Sequence, residues 1–168
     1  MRIEDELPLK VTRDKHIASK PQEDFQSILS ETIQSLPNNL TLEDRIRVKV
    51  SEVSAKYSIP PNILLAMIKK ESNFNPSAYN RNKDGTQDIG LMQVNYEHNR
   101  SLMQEYGIKD PKQLYDVELN IELGARILYE NYKRYKSWPL AIKAYNGISA
   151  DNWDYVKSVL ELANKLRW

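Results

Sequence analysis

The sequence predicts a mostly α-helical protein of the α+β class with one small β-hairpin. Apolar residues recur at helical spacing, three or four positions apart, in most stretches of the chain after Phe25. The exception is residues 80–86, NRNKDGT, which are rich in turn formers and separate two such stretches. At 168 residues without cysteine, the chain is long enough to bury the core of one domain without disulfides.

Composition narrows the classes of function. A formal net charge of +1 argues against a dedicated nucleic-acid binder. The absence of cysteine excludes thiolate zinc sites and cysteine nucleophiles, and two histidines supply little for a histidine metal site. No apolar run reaches the ~18 residues of a membrane span. The first residues also lack the apolar region of a secretory signal, so we expect no signal peptide in this chain.

We expect three parts along the chain. Residues 1–22 are polar and mixed in charge, which predicts a disordered or loosely docked arm. Residues 23–40 carry one apolar stripe at helical spacing and close on a Pro-Asn-Asn breaker, which predicts an accessory helix. Residues 41–168 contain the other periodic stretches and are predicted to form the main domain.

Two helices open this domain. Thr41 is placed to cap a helix that runs to about Tyr57, and Asp44 lies three residues on, as in a capping box. Pro61 then starts the next helix, since proline is well tolerated in a first turn. Glu71 lies at the end of that second helix.

The turn region is followed by further elements. Short strands are predicted between Thr86 and Val94, and a short helix is predicted from Tyr96 to Tyr106, ended by Gly107.

A longer helix, capped by Asp116, is predicted to run through about Tyr135. Gly124 lies inside it, where glycine costs ~1 kcal/mol relative to alanine, so we expect another backbone to approach it closely. Two C-terminal helices, from Leu140 to Tyr145 and from about Asn152 to Leu166, complete the prediction.

Glu71 is a carboxylic acid on an apolar helix face. Leu64, Met67, Ile68 and Glu71 stand at positions i, i+3, i+4 and i+7 of the predicted helix, so the acid points toward the core. Burial and the negative end of the helix dipole both raise the pKa of a carboxyl group. An acid that stays protonated near neutral pH is what general acid catalysis needs.

Three motifs, in order along the chain, resemble one known family. They are Glu71-Ser72 with the Asn/Asp/Gly hairpin and Gly90-Leu91-Met92-Gln93, then Asn120-Ile121 with Gly124 and Leu128, then Ala144-Tyr145-Asn146-Gly147. The chain resembles the lysozyme superfamily over roughly residues 45–160. Its hairpin is similar to that of c-type lysozymes, and the remainder is similar to bacterial lytic transglycosylases of the soluble lytic murein type. The resemblance implies a lysozyme-like fold for residues 41–168.

The resemblance also implies a reaction and the residues that perform it. Glu71 would be the general acid, and later the base, that cleaves peptidoglycan between N-acetylmuramic acid and N-acetylglucosamine with formation of 1,6-anhydro ends. Four further residues would form the substrate-binding site. Ser72 would lie beside the acid, Gln93 would line the sugar cleft, and the motif that contains Tyr145 and Asn146 would frame Glu71. No cofactor and no metal is implied.

Asp88 leaves the outcome of the reaction open. It matches the place of the second carboxylate of c-type lysozymes, which would permit hydrolysis by water, with the chain acting as a muramidase. The alternative interpretation is a purely structural role, in which Asp88 accepts hydrogen bonds from backbone N–H groups of the hairpin. An alternative of another class is a non-catalytic peptidoglycan-binding module, although binding alone does not require the intact motifs.

A peptidoglycan enzyme is expected to act outside the cytoplasmic membrane, in the periplasm or cell wall or when delivered by a phage. The partners expected are glycan strands of peptidoglycan and a secretion, flagellar or phage assembly, with no nucleic acid and no membrane span.

Overall fold

The computed structural model describes residues 40–166, and the structural statements below concern these residues. The predicted arm (1–22), and the predicted accessory helix (23–40) up to its last residue, lie outside them. The helices are α1 (Leu42–Tyr57), α2 (Pro61–Ser72), α3 (Arg100–Glu105), α4 (Val117–Tyr135), α5 (Trp138–Gly147) and α6 (Trp153–Lys165). The strands are β1 (Tyr79–Arg81), β2 (Gln87–Ile89) and β3 (Val94–Asn95), and a short 3₁₀ helix spans Pro111–Tyr115. The predicted class, mostly helical with a small β element, is confirmed.

The start of α1 follows the predicted capping chemistry. The Thr41 hydroxyl accepts a hydrogen bond from the Asp44 N–H at 3.1 Å, and the Asp44 carboxylate accepts one from the Thr41 N–H at 3.1 Å. This reciprocal pair satisfies two donors that a helix N-terminus otherwise leaves open. The first turn of α2 instead begins with Pro61, whose missing N–H costs nothing there.

The three strands form one antiparallel sheet in the order β1-β2-β3. Asn80 in β1 pairs with Asp88 in β2, and Asp88 pairs with Asn95 in β3. The prediction placed strands only after Thr86 and treated Asn80 as a turn former, and that part was wrong. Pairing with β2 overrides the low strand propensity of asparagine, because the stability of a residue in a strand depends on the residues on the neighbouring strand.

Helix α3 is shorter than predicted. It begins at Arg100 instead of near Tyr96, because side chains close the preceding turn. The Asn95 side chain accepts a hydrogen bond from the His98 N–H at 2.8 Å, and the Asn99 side-chain amide donates to the Asn95 carbonyl at 2.7 Å. Such local bonds compete with helix formation.

Helix α4 is the centre of the core and packs against both α1 and α5, while α2 packs against α6. Gly124 in α4 is a point of close approach, as predicted, but the partner is a side chain and not a backbone. A Cβ atom placed on Gly124 would lie 2.8 Å from the Cβ of Met92. Met92 precedes the site residue Gln93, so the missing side chain at Gly124 lets the site segment sit directly on α4. None of the helices between residues 40 and 166 combines the length and apolarity needed to cross a bilayer.

Candidate active site

A cleft of about 550 Å³ lies between the sheet region on one side and α4 and α5 on the other. Of the six residues proposed from the sequence, five line it: Glu71, Asp88, Gln93, Tyr145 and Asn146. Ser72 is not among the described residues that line the cleft, and its hydroxyl donates back to the Ile68 carbonyl within α2 at 3.1 Å. The structure therefore brings together side chains from distant parts of the chain.

Glu71 reaches the cleft from the last turn of α2. Leu64, Met67 and Ile68, which share its helix face, are fully buried, so the helix is held against the core just before the acid. The helix ends at Ser72, and the next residue, Asn73, adopts the left-handed conformation with φ 52°. The acid thus sits where a buried helix face opens into the cleft.

Burial raises the pKa of Glu71 from 4.5 to about 7. The Tyr155 hydroxyl acts against this by stabilising the carboxylate, the Asp88 charge raises the pKa further, and the Lys70 charge lowers it. Desolvation dominates, because a charge in a low-dielectric site loses its hydration. Near neutral pH the group therefore exists in both forms, as a proton donor and as a proton acceptor.

Tyr155, in the first turn of α6, donates a hydrogen bond to the Glu71 carboxylate. Burial, followed by the nearby Glu71 charge, raises the pKa of Tyr155, so the phenol remains a donor. The sequence did not identify this residue. The two partners are 84 positions apart, and Tyr155 stands among the apolar positions of an amphipathic helix, where a core role is the ordinary interpretation.

Asp88 is surrounded by side-chain amides. Asn95 donates to one of its carboxylate oxygens at 2.7 Å, and Asn82 and Asn80 donate to the other at 2.9 and 3.3 Å. Amide donors of this kind stabilise negative charge and fix the orientation of a carboxylate. The alternative expectation was that Asp88 accepts hydrogen bonds from backbone N–H groups of the hairpin. Its three donors are asparagine side chains instead.

The segment from Gly90 to Gln93 is held in an unusual backbone conformation. Gly90 has φ 79°, and a Cβ atom there would lie 2.6 Å from the Leu114 carbonyl oxygen, so only glycine fits. Gln93 has φ 47°, which is uncommon for a residue with a side chain, and its amide donates to the Gly90 carbonyl at 2.9 Å. These constraints present Gln93 to the cleft in one orientation.

Asn120, in α4, anchors this segment from beneath. Its side chain is buried, donates to the carbonyls of Ile89 and Leu114 at 2.8 and 2.7 Å, and accepts from the Met92 N–H at 2.8 Å. One amide thereby makes three hydrogen bonds to buried backbone groups of this segment and of the 3₁₀ helix.

Tyr145 and Asn146 come from the end of α5. The Tyr145 hydroxyl donates to the Met92 carbonyl at 2.8 Å, which ties α5 to the segment that carries Gln93. The Asn146 side chain is exposed to the cleft and accepts from the Asn152 amide at 3.1 Å. Tyr145 therefore frames the site, while Asn146 remains accessible to a ligand.

The residues that build this cleft lie in a segment that matches a known family. Residues 49–167 match the family described as Transglycosylase SLT domain, which is most of the chain. The chain belongs to this family of enzymes, and the resemblance expected from the motifs is confirmed.

Individual relatives are consistent with that assignment. The chain is 36% identical over 117 residues to the invasion protein IagB of Salmonella typhimurium, covering 66% of this chain and 72% of the relative. It is 33% identical over 137 residues to the membrane-bound lytic murein transglycosylase C of Serratia proteamaculans, covering 71% of this chain but 36% of the relative.

A solved structure supports the fold. The crystal structure of the lytic transglycosylase Slt of Pseudomonas aeruginosa superposes with a TM-score of 0.59 at 23% identity, covering 70% of this chain and 23% of that one. The lysozyme-like fold expected for the main domain is thereby confirmed.

Proposed function

We propose that this chain is a peptidoglycan lytic transglycosylase that cleaves the β-1,4 bond between N-acetylmuramic acid and N-acetylglucosamine and leaves 1,6-anhydro ends. Membership of the transglycosylase family supports the reaction class, and the printed name of the Serratia relative supports a murein substrate. The observation that carries the proposal is Glu71, an acid at the cleft whose pKa burial raises to about 7.

In this proposal Glu71 acts twice. Protonated Glu71 first donates its proton to the glycosidic oxygen, the bond from the anomeric carbon to that oxygen breaks, and the alcohol leaves. The ionised Glu71 then accepts the proton of the muramic acid 6-hydroxyl, whose oxygen attacks the anomeric carbon and closes the anhydro ring. A pKa near the working pH suits both steps, because the same group must give and then take a proton.

The other residues of the site bind the sugar or hold Glu71 and its neighbouring segments in position. Gln93 and Asn146 present amides that suit the hydroxyl and acetamido groups of a sugar. Tyr145 acts through the backbone of Met92, and Tyr155 acts on the Glu71 carboxylate itself. For Ser72 we propose a support role at the end of α2 in place of direct substrate binding, because its hydroxyl is engaged by Ile68.

A second candidate is a hydrolytic muramidase that uses Glu71 and Asp88. The observation that favours it is the set of asparagine amides that donate hydrogen bonds to Asp88. They orient Asp88, the second carboxylate, toward the same cleft. In that reaction Asp88 stabilises the positive charge that develops on the sugar, and water completes the cleavage. We place transglycosylation first because the family is a transglycosylase family.

The site of action follows from the substrate. Peptidoglycan lies outside the cytoplasmic membrane, so we propose that the enzyme works in the periplasm or cell wall. We also propose that its partner is a secretion, flagellar or phage assembly, and the similarity to a protein named for invasion supports an envelope setting of this kind.

The experiment is digestion of purified sacculi by the wild type and by Glu71→Gln. Wild type is expected to release soluble muropeptides, and the variant is expected to lose at least about 10²-fold in rate, because the proton donor is gone with little change in shape. Binding of both proteins to sacculi serves as the control for folding. A variant that retains wild-type release would contradict the proposal.

A further inference from the structure

Asn152 stands immediately before α6, and its side chain does not serve that helix. An asparagine at such an N-cap position ordinarily accepts a hydrogen bond from a backbone N–H of the first turn. Asn152 makes no such bond. Its side-chain oxygen is buried and accepts no hydrogen bond from any described residue, and an unpaired buried acceptor costs about 1–3 kcal/mol. The contacts of Asn152 are therefore all made by its amide nitrogen.

That nitrogen donates to the end of α5. Its acceptors are the Gly147 carbonyl at 3.1 Å, the Lys143 carbonyl at 3.3 Å and the side-chain oxygen of Asn146 at 3.1 Å. The two ends of a carboxamide are told apart by the partners they bind. The two backbone carbonyls fix the Asn152 amide, because the reversed orientation would place its oxygen against theirs. Asn146 must then turn its own oxygen toward Asn152.

This contact decides what Asn146 offers to a ligand. Asn146 is exposed and lines the cleft. Its oxygen is engaged by Asn152, while its amide nitrogen donates no hydrogen bond to the described residues. A carboxamide nitrogen carries two donors and no acceptor. The group that complements Asn146 is therefore an acceptor oxygen.

Lys143 holds the loop that delivers Asn152 to this position. Its side chain is buried, and its ammonium group donates to the carbonyls of Ile148 and Ala150, each at 2.6 Å. The same nitrogen lies 5.6 Å from the centre of the Trp153 ring. Hydrogen bonds from a charged donor are stronger than those between neutral groups. One lysine thus ties down the loop on both sides of its middle.

The first turn of α6 also contacts the proposed acid. Tyr155, three residues after Asn152, donates a hydrogen bond to the Glu71 carboxylate. Side chains at the N-cap and three residues later lie beside the same helical turn. The start of α6 therefore holds both Glu71 and Asn146, the proton donor and a sugar-binding residue of the proposed function.

We propose that Asn152 is a positioning residue that sets which end of the Asn146 amide meets the substrate, so that Asn146 donates to an acceptor oxygen of the glycan. This inference rests on the proposed function. Asn152 is not among the described residues that line the cleft, so it acts on the ligand through Asn146. Without Asn152, no described residue holds the Asn146 oxygen, and the amide is free to present either end.

A double-mutant cycle on binding tests this, in Glu71→Gln protein so that cleavage does not interfere. Dissociation constants for purified glycan strands are measured for the parent, Asn146→Ala, Asn152→Ala and the double variant. Each single change is expected to weaken binding about three- to tenfold. The double variant is expected to bind no more weakly than Asn146→Ala alone, because Asn152 acts through Asn146.

A further variant tests the donor itself. Asn146→Asp keeps the shape of the side chain and an oxygen for Asn152 but has no N–H group, so it is expected to bind as weakly as Asn146→Ala. Because Asn146 is exposed, this comparison stands even if Asn152→Ala fails to fold.

The matched control is Asn62→Ala, which removes an amide that donates to the Ala163 carbonyl, toward the other end of α6, at 3.1 Å. It is expected to leave the affinity unchanged. The proposal is overturned by losses that multiply in the double variant, by parental affinity in Asn152→Ala or Asn146→Asp, or by an equal loss in the control. Failure of the proposed function is seen separately, as wild-type protein that does not cleave the strands.

Discussion

The Tyr155 hydroxyl donates a hydrogen bond to the Glu71 carboxylate and so connects the first turn of α6 to the last turn of α2. This bond stabilises the ionised acid and opposes the effect of burial, the main cause of its raised pKa. The pKa of about 7 is therefore a balance in which desolvation outweighs the Tyr155 phenol, and the Asp88 and Lys70 charges add smaller opposing effects. Two helices that meet only through tertiary packing set the protonation state of the proposed acid.

Removal of this phenol is expected to shift the pH dependence of cleavage. In Tyr155→Phe the carboxylate loses a donor, so the pKa of Glu71 rises above about 7. Since the first step needs the protonated acid, kcat/KM falls as pH rises through this pKa, and the falling limb of the profile should move up by roughly half to one pH unit. A pH series of kcat/KM on solubilised glycan strands measures it. A limb that stays in place or moves down would show that Tyr155 does not tune the acid.

Loss of the Asp88 charge is expected to shift the pH dependence of cleavage in the opposite direction, to lower pH. Burial is the larger cause of the raised pKa of Glu71, and the Asp88 charge adds to it. In Asp88→Asn that repulsion is gone, so the pKa of Glu71 falls and the limb moves to lower pH. The same pH series is the measurement, and Asp84→Asn is the control, because Asp84 is a hairpin acid that does not line the cleft. An upward shift in Asp88→Asn would be incompatible with this electrostatic role.

Glu71 is also expected to cost stability at alkaline pH. Its folded-state pKa, about 7, lies above the ordinary value of 4.5, so the folded protein binds the proton more tightly than the unfolded chain does. The resulting penalty is absent below pH 4.5, grows as pH rises to about 7 and is complete above it, with a ceiling of about 3 kcal/mol. Glu71→Gln should therefore gain stability at pH 8 relative to wild type, and gain much less at pH 4.5.

Urea unfolding of both proteins at the two pH values measures this difference. The comparison between pH values is its own control, because any change in packing caused by the amide contributes equally at both. An equal effect of the substitution at both pH values would show that Glu71 titrates normally in the folded protein.

Asn120 is expected to be needed for both stability and activity. Asn120→Ala removes the side-chain amide that hydrogen-bonds two buried carbonyls and one buried N–H. This loss should lower the free energy of unfolding by about 3 kcal/mol. Asn62→Ala is a matched control, since the Asn62 amide makes a single bond to a tertiary partner, the Ala163 carbonyl at 3.1 Å, and should cost about 1 kcal/mol. Urea denaturation measures both, and similar losses would contradict the anchoring role.

The features that the sequence predicted correctly are those that depend on interactions between residues close together in the chain. The capping pair of Thr41 and Asp44, proline at the start of α2 and the apolar face that ends in Glu71 depend on residues within a few positions of one another. Those elements, and the placement of the acid at the cleft, were predicted. The prediction also placed Gln93 and Asn146 at the same cleft, through the resemblance.

Most of the features that the sequence did not predict depend on partners outside their own stretch of the chain. Asn80 is a strand residue because β2 is beside it, and the close approach predicted at Gly124 is made by the Met92 side chain and not by a backbone. The amides around Asp88 are ordinary turn formers when considered one at a time. Tyr155 has no local pattern that marks it as a partner of an acid 84 positions away. Local propensity is overridden at these places by tertiary contacts.

Glu71 is proposed to complete cleavage with the sugar's own hydroxyl and without water. Digestion of sacculi in water enriched in heavy oxygen, followed by mass spectrometry of the released ends, tests it most directly. Wild-type protein is expected to release anhydro ends, which are one water lighter than reducing ends and free of the label, and Glu71→Gln is expected to release no such product. Reducing ends that carry the heavy oxygen would contradict it, since they would show that water attacks the anomeric carbon.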